Sequence, residues 1–427
     1  MIFEKICVLG LGYIGLPTAS TFATHGLKVV GVDVNPAVVT GLQKGHLHIY
    51  EPGLRTLVQA ALRSGNLEIS QEAQPADAFL IAVPTPFYGD KQADLSFVRS
   101  AAEMIGPNLR RGNLVILEST SPPLTTTQVV APILEQSGLK AGEDFYLVYS
   151  PERVLPGQIL RELIENARVI GGVNAASAEA GRDLYQIFVR GEIILTNATT
   201  AEMVKLMENT YRDVNIAVAN EFARMSERFG VNVWEAIRLA NRHPRVNILN
   251  PGPGVGGHCV SVDPWFLVEA APDLAHVIRS AREVNDNQPH FVLELVRKAL
   301  GGSAAGKRVT VLGLAFKPDV DDLRESPAIE LVHLLVRAGA EVSVFEPYNT
   351  DFKVPGAHSA QSLGEALENA DALVLVVGHS SLKSLDPVEL ANKIPARIAV
   401  DCVNGWDPHL WQAAGFKLHR LGVGLPA

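Results

Sequence analysis

Cysteine is scarce in this chain: Cys7, Cys259 and Cys402 are the only three among 427 residues. Three thiols so far apart give no disulfide framework, and a cytoplasmic protein fits. Basic residues are outnumbered, 37 Lys and Arg against 46 Asp and Glu. The resulting net charge of −9 argues against a general nucleic-acid binder. It leaves room for an anionic substrate, which needs only a local cluster of Arg and Lys. Long apolar runs are missing too, so no segment reads as a membrane span. The opening MIFEKICVLGLG lacks a basic n-region and a cleavage site and reads directly as a first strand. Aromatics are few, 6%, against 47% hydrophobic and 19% charged residues with abundant Gly and Pro. That composition is ordinary for a soluble α/β protein, and the length suits two or three domains. The reading calls for no metal.

Apolar runs at 5–11, 28–34, 78–83 and 113–118 alternate with helical stretches, the pattern of a parallel doubly wound sheet. Ligand loops belong at the carboxyl ends of such strands. From residue 199 the pattern changes to one long helix over 200–229, a second over 233–241 and a Gly/Pro-rich loop over 247–257. A further helix should start at Asp263-Pro264, with Asp263 as N-cap. Beyond GGSAAG (301–306) the βαβ pattern restarts, with strands at 308–314, 341–345, 372–377 and 397–402 and a helix over 328–338. The expected fold class is α/β: two Rossmann-like doubly wound domains, 1–198 and 301–427, joined by a central all-helical domain, 199–300, that carries the catalytic loop and a dimer interface. The second repeat is altered. Gly313-Leu314-Ala315-Phe316-Lys317 lacks the second and third glycines, so this half is read as adapted to a different ligand.

Gly10, Gly12 and Gly15, in GLGYIG with Tyr13 and Ile14 between them, follow a strand and open a helix. Glycines there allow a tight turn and let a pyrophosphate meet the helix N-terminus. Asp33 ends the next strand, where a carboxylate accepts ribose hydroxyls and repels a 2′-phosphate, favouring NAD over NADP. Thr85 and Thr120 follow later strands beside prolines; their hydroxyls either line the cofactor cleft or cap Pro-rich turns. Lys205, Asn209 and Arg212 share a helix side, either a solvated face or, given Met203, Leu206 and Met207, a buried one where a lysine stabilises an oxyanion. In PGPGVGGHCVSVDP, Cys259 follows three glycines, which would let a substrate come near the backbone. It also precedes a helix N-terminus, which favours thiolate, whereas Cys7 reads as core and Cys402 is ambiguous. A thiol beside a nicotinamide fold permits a second oxidation, because it traps an aldehyde as an oxidisable thiohemiacetal. In PERVLPG, Glu152 could activate water and Arg153 could meet an anion, unless this is a surface turn. Arg242, His243 and Arg245 are a phosphate site or a solvated patch.

GLGYIGLP, VPTP, ESTSPP, PERVLPG, TAEMVKLMENTYRD, GVGGHCVSVDP and LGLAFKPDVDDLRESPA, in that order, resemble the UDP-glucose/GDP-mannose dehydrogenase family over essentially the whole chain. Val262, where relatives acting on UDP-glucose or GDP-mannose carry a lysine, makes the chain similar to the branch acting on 2-acetamido sugars. The resemblance implies a homodimer with NAD on the first domain and a UDP-sugar held by the third domain and the middle loops. Cys259 would be the nucleophile, Lys205 the acid/base group, Asn209 and Asp263 would position water or oxyanion, and Glu152 would assist thioester hydrolysis. Arg153, Val154, Arg212, Gly254, Gly256, Phe316 and Lys317 would meet the sugar nucleotide, with His243 or Arg245 reaching the neighbouring subunit and Arg324 approaching the cofactor. One departure is Asp401-Cys402-Val403-Asn404, where many relatives have a basic residue after the last strand.

The implied reaction takes two hydrides from C6 of UDP-N-acetylmannosamine, using two NAD and one water. The same reaction on UDP-N-acetylglucosamine or another UDP-hexose is an alternative. Two other readings are a two-electron β-hydroxyacid dehydrogenase, which leaves the third domain without a purpose, and a non-catalytic NAD or sugar-nucleotide sensor.

Overall fold

The computed structural model describes residues 2–89 and 91–424, so the last three residues of the expected third domain lie outside it. Contacts divide the chain into two compact units, Met1–Glu208 with Glu269–Pro272, and Asn209–Val268 with Asp273–Ala427.

The first unit holds strands β1 Lys5–Leu9, β2 Lys28–Val32, β3 Leu67–Ser70, β4 Ala78–Ile81, β5 Leu114–Leu117, β6 Tyr146–Tyr149, β7 Arg168–Gly172 and β8 Ile193–Asn197. They form one sheet in the order β3-β2-β1-β4-β5-β6-β7-β8. All pairs are parallel except β6 with β7. The inner strands β1, β4, β5, β6 and β7 are buried on both faces, which is why they read as continuous apolar runs rather than alternating ones, while the edge strands β3 and β8 are partly exposed. Ile6 and Val8 of β1 enter one core cluster with Leu16, Phe22 and Tyr185, while Cys7 and Leu9 enter the other with Phe79 and Val115. Strand order reverses between β1 and β4, so the loops after these two strands flank the switch point where α/β sheets bind ligands.

The second unit repeats the plan with β9 Arg308–Leu312, β10 Glu341–Phe345, β11 His358–Ser359, β12 Ala372–Leu375, β13 Ile398–Asp401 and β14 Lys417–Arg420. Its order, β11-β10-β9-β12-β13-β14, is all parallel. One face packs Val309 and Val311 on the helices Gln288–Ala299 and Pro327–Arg337; the other packs Leu312 and Leu375 on a stacked Trp406–Trp411 pair. The strand at 397–402 is not the last, because β14 follows it and pairs Arg420 with Asp401.

The long helix runs over Ala198–Phe229, 32 residues or about 48 Å. Leu206 on it is buried, yet Met207 is 57% exposed, so of the residues read as marking a largely buried helix Met207 does not: one face is apolar and open. Val233–Ala240 is the next helix, capped by Asn232, whose side chain accepts from the N–H groups of Trp234 and Glu235. The helix expected after Asp263 begins at Asp263 itself. Among the described residues no helix is long and apolar enough to cross a membrane.

Candidate active site

In the first unit the turn after β1 is built as a dinucleotide turn. Gly10 sits at φ 92°, a conformation other residues rarely adopt. A Cβ on Gly10 would lie 2.5 Å from the Ala82 carbonyl oxygen, and one on Gly15 would lie 1.8 Å from the Gly10 carbonyl oxygen. Those two glycines are therefore required by the protein's own packing. A Cβ on Gly12 would meet nothing within 4 Å. Space left open at the start of a helix, beside amides and a carboxylate, fits a pyrophosphate and ribose. Asp33, half-buried after β2, accepts from the N–H of Leu11 at 3.1 Å and of Asn35 at 2.9 Å, which fixes the turn. Tyr13 and Ile14 are half-buried in the same turn, and Thr85 and Thr120 are half-buried after β4 and β5.

Glu202, buried on the long helix, accepts from the Leu124 N–H at 2.6 Å and from the Thr126 N–H at 2.7 Å, and also from the Thr126 hydroxyl. It satisfies the free amides of the helical turn that starts there and holds Leu124 at φ 74°, steadying the loop that carries Thr120. Glu51 does the same for PERVLPG, accepting from Gly157 and Ile159 at 2.8 and 2.9 Å.

Lys205 is 8% exposed, and its Nζ donates to the Glu152 carbonyl oxygen at 2.9 Å. The Glu152 carboxylate accepts from the Arg153 N–H at 2.7 Å and pairs with the buried Arg168. Arg153 does not present an unengaged guanidinium: it pairs with Glu208 at 2.8 Å and donates to the Ala167 carbonyl. Val154 is half-buried against the core.

In the second unit Asn209, one helical turn after Lys205 along the long helix, is 7% exposed. Its Nδ2 donates to Oδ2 of Asp263, itself 1% exposed, at 2.5 Å. The Cys259 carbonyl accepts from the N–H groups of Val262 and Asp263 at 3.0 and 2.8 Å, so the cysteine lies at the turn that opens the helix. Its thiol is half-buried. By contrast burial pushes the Cys7 thiol up to about 11 and the Cys402 thiol well above its ordinary range, which keeps both protonated and inert.

The glycines before Cys259 are required by the protein's own packing as well. A Cβ on Gly254 would lie 2.8 Å from Pro327, one on Gly256 2.4 Å from the Glu325 carbonyl oxygen, and one on Gly257 3.0 Å from the Phe316 ring. The Gly257 N–H also donates to the Arg324 carbonyl at 3.0 Å. These glycines let the cysteine loop seat on the 316–327 loop; substrate access is not needed to explain them. Arg324 forks onto Asp322 through Nε and Nη2. Lys317 lies 5.9 Å from the Phe316 ring centroid. Arg212, Arg242, His243 and Arg245 are exposed, the last three on a loop that Asn241 clamps by two hydrogen bonds to Ile248. At the turn lacking the family's basic residue, Arg420 donates to Asn404 at 3.1 Å, so a guanidinium from β14 stands there.

Sequence reasoning missed Glu51, Glu118, Arg168, Tyr185 and Glu202. Each is a titratable residue on or beside an apolar element, and that placement was the available signal.

Residues 4–189 match the NAD binding domain of the UDP-glucose/GDP-mannose dehydrogenase family, 199–287 its central domain and 310–408 its UDP binding domain. A Methanococcus maripaludis protein named UDP-N-acetyl-D-mannosamine dehydrogenase is 48% identical over 429 residues, covering 99% of this chain and 97% of its own. A Ralstonia solanacearum protein named NDP-N-acetyl-D-galactosaminuronic acid dehydrogenase is 49% identical over 416 residues, covering 95% and 96%. The solved structure of the UDP-D-ManNAc dehydrogenase of Pyrococcus horikoshii superposes with TM-score 0.92 at 42% identity, covering 99% of this chain and 100% of that one. With three domain matches and near-full-length relatives, the chain belongs to the UDP-glucose/GDP-mannose dehydrogenase family and is an NAD-dependent dehydrogenase of nucleotide sugars.

Proposed function

We propose that this enzyme oxidises the C6 alcohol of UDP-N-acetyl-D-mannosamine to the carboxylate. The observation that carries the reading is the buried Asn209–Asp263 bond, which within the second unit ties the long helix to the helix that follows the Cys259 turn. The names of the relatives support a 2-acetamido sugar as substrate.

Gly10–Gly15 would hold NAD with its ribose on Asp33, and the cofactor would supply the hydride acceptor for each of the two oxidations. Lys205 and Asp263 order the water that removes the C6 hydroxyl proton. Cys259 Sγ adds to the aldehyde carbon, because a bare aldehyde has no adjacent alkoxide from which to expel a second hydride. Oxidation of that thiohemiacetal leaves a thioester on sulfur. Glu152 takes a proton from the water that hydrolyses it, and Asn209 with Lys205 steadies the developing oxyanion. Arg212, Phe316 and Lys317, with the Arg153–Val154 segment, would hold the sugar nucleotide; Arg324 would serve the cofactor; His243 or Arg245 would serve the neighbouring subunit.

The enzyme works as a cytoplasmic homodimer. Tyr211, Val218, Phe222, Met225 and Phe229 are exposed at helical spacing on the long helix, an apolar stripe of the kind that partner helices cover.

The test is a panel of UDP-N-acetylmannosamine, -glucosamine and -galactosamine with wild type and Cys259→Ser. The expected result is highest kcat/KM on the mannosamine sugar and a serine variant that stalls at or after the covalent stage. Full NADH yield from Cys259→Ser rules out the thiol's role. Preference for the galactosamine sugar supports the second reading suggested by the Ralstonia relative.

A further inference from the structure

Behind Glu152, within the first unit, lies a charged cluster that the steps above do not use. Glu118 follows β5, Ser150 follows β6, Arg168 opens β7 and Tyr185 ends the helix Ala175–Tyr185. The side chains of Arg168, Glu118 and Glu152 are 4%, 0% and 7% exposed. The guanidinium lies over the Tyr185 ring, 4.1 Å from its centroid. Nη1 reaches Glu118 Oε1 at 3.4 Å and Ser150 Oγ at 3.3 Å, while Nη2 pairs with Glu152 Oε2. The Tyr185 hydroxyl donates to Glu118 Oε1, and Glu118 Oε2 is buried without a partner. Two acids thus compete for one cation in a place where unpaired charge is expensive.

We propose that Arg168 is a positioning residue for thioester hydrolysis, holding the Glu152 carboxylate in place, and that Glu118, braced by Tyr185, sets how firmly it is held by competing for the same guanidinium. The proposal rests on the assignment of Glu152 as the hydrolytic base. In that step the water oxygen bonds to the thioester carbon and the C–S bond breaks with its electron pair passing to Cys259 Sγ. One water proton goes to Glu152, and the other leaves from the product acid to solvent.

An ion pair fixes the accepting oxygen but lowers its basicity. An ionised Glu118 draws on the same cation and restores it. Burial pushes the Glu118 carboxyl up to about 7, with Arg168 opposing and Glu152 reinforcing that rise. The charged and titratable groups facing Glu118 are Arg168 from β7, Glu152 from the loop after β6 and Tyr185 from its helix. Hydrolysis therefore quickens as pH rises through neutrality.

The experiment uses the full-length enzyme with UDP-N-acetyl-D-mannosamine and NAD, acid-quenched between pH 5.5 and 8.5. The NADH burst and the intact mass of the Cys259 adduct are read together, with melting curves at each pH. Wild type should show a hydrolysis rate rising several-fold through pH ~7. Glu118→Gln should stay flat at the low-pH rate. Arg168→Met should accumulate adduct, with hydrolysis slowed roughly tenfold and the first NADH nearly unchanged; Arg168→Lys should recover part of the loss. A Glu118→Gln profile identical to wild type overturns the proposal, and so does wild-type hydrolysis in Arg168→Lys and Arg168→Met. If Arg168→Met does not fold, Glu118→Gln and Arg168→Lys decide. Glu152→Gln separates the two ideas. Adduct in that variant, without change in the other three, sinks only this proposal; wild-type hydrolysis in Glu152→Gln sinks Glu152's role and this proposal together.

Discussion

The turn after β1 and the turn after β9 start alike and end differently. Gly10 and Gly313 have φ of 92° and 87°, and each N–H donates to the end of the next strand, at Val32 and Phe345. Each following amide, Leu11 or Leu314, donates to an acid just past that strand, Asp33 or Glu346. In the first sheet the chain then enters a helix at Gly15, and Gly12 faces open space. In the second, the next helix waits until Pro327, and the intervening loop bonds to the loops after β10 and β12. Asp319 accepts from the Ser380 N–H and hydroxyl and from Tyr348, and its N–H donates to the buried His379. Glu346 is consumed by Leu314, Ala315, Tyr348 and His379. One topology thus gives an open dinucleotide turn in one unit and a turn engaged by its own loop in the other, and the residues that differ are Gly12 and Gly15 against Ala315 and the 316–326 loop.

The largest way to break this comparison is Gly12→Val. It should lower kcat/KM for NAD about 100-fold, roughly 2.7 kcal/mol, with a smaller change in melting temperature than Gly313→Ala causes, since its Cβ meets no protein atom within 4 Å. The matching change, Gly313→Ala, should do the reverse. Its Cβ would lie 2.5 Å from Val377 at positive φ, so it should cost about 2–4 kcal/mol of stability in denaturant melts, with no selective loss of NAD affinity.

Acidity sharpens the contrast. Glu118 in the first unit has its carboxyl raised from 4.5 to about 7 by burial. A raised carboxyl contributes stability below its unfolded value that is lost as pH climbs through the folded one. The loss between pH 4.5 and 8 is on the order of 3 kcal/mol, and Glu118→Gln should flatten it in urea melts. For Glu346 burial opposes the charge, but hydrogen bonds from His379, Leu314 and Tyr348 outweigh it and lower the carboxyl below 4.5. Its contribution is present above that value and is lost as pH falls through the depressed one, so Glu346→Gln should remove an acid-side loss instead. The smallest effect is expected of Asp33→Asn: about a tenfold rise in KM for NAD, read from initial rates, because the amide still accepts from Leu11 while the ribose loses a charged acceptor.

What could be read from the sequence was local. GLGYIG with Asp33, the cysteine loop before Asp263-Pro264 and the restart of βαβ pattern after 301–306 each announce themselves within a few residues. The cluster around Arg168 joins residues from four separate segments; Glu118 and Tyr185 are 67 positions apart, and no spacing rule links them. The same holds for Glu202 and Thr126, and for the antiparallel entry of β7. Gly254, Gly256 and Gly257 were visible as a motif, but their packing on Phe316, Glu325 and Pro327 was not, because those residues lie far along the chain.

The most direct test of the account is the number of NADH molecules formed for each UDP-sugar consumed by the wild-type enzyme, followed to completion. Two per sugar, with the carboxylate as product, is the predicted result. One per sugar, with aldehyde released, would contradict it.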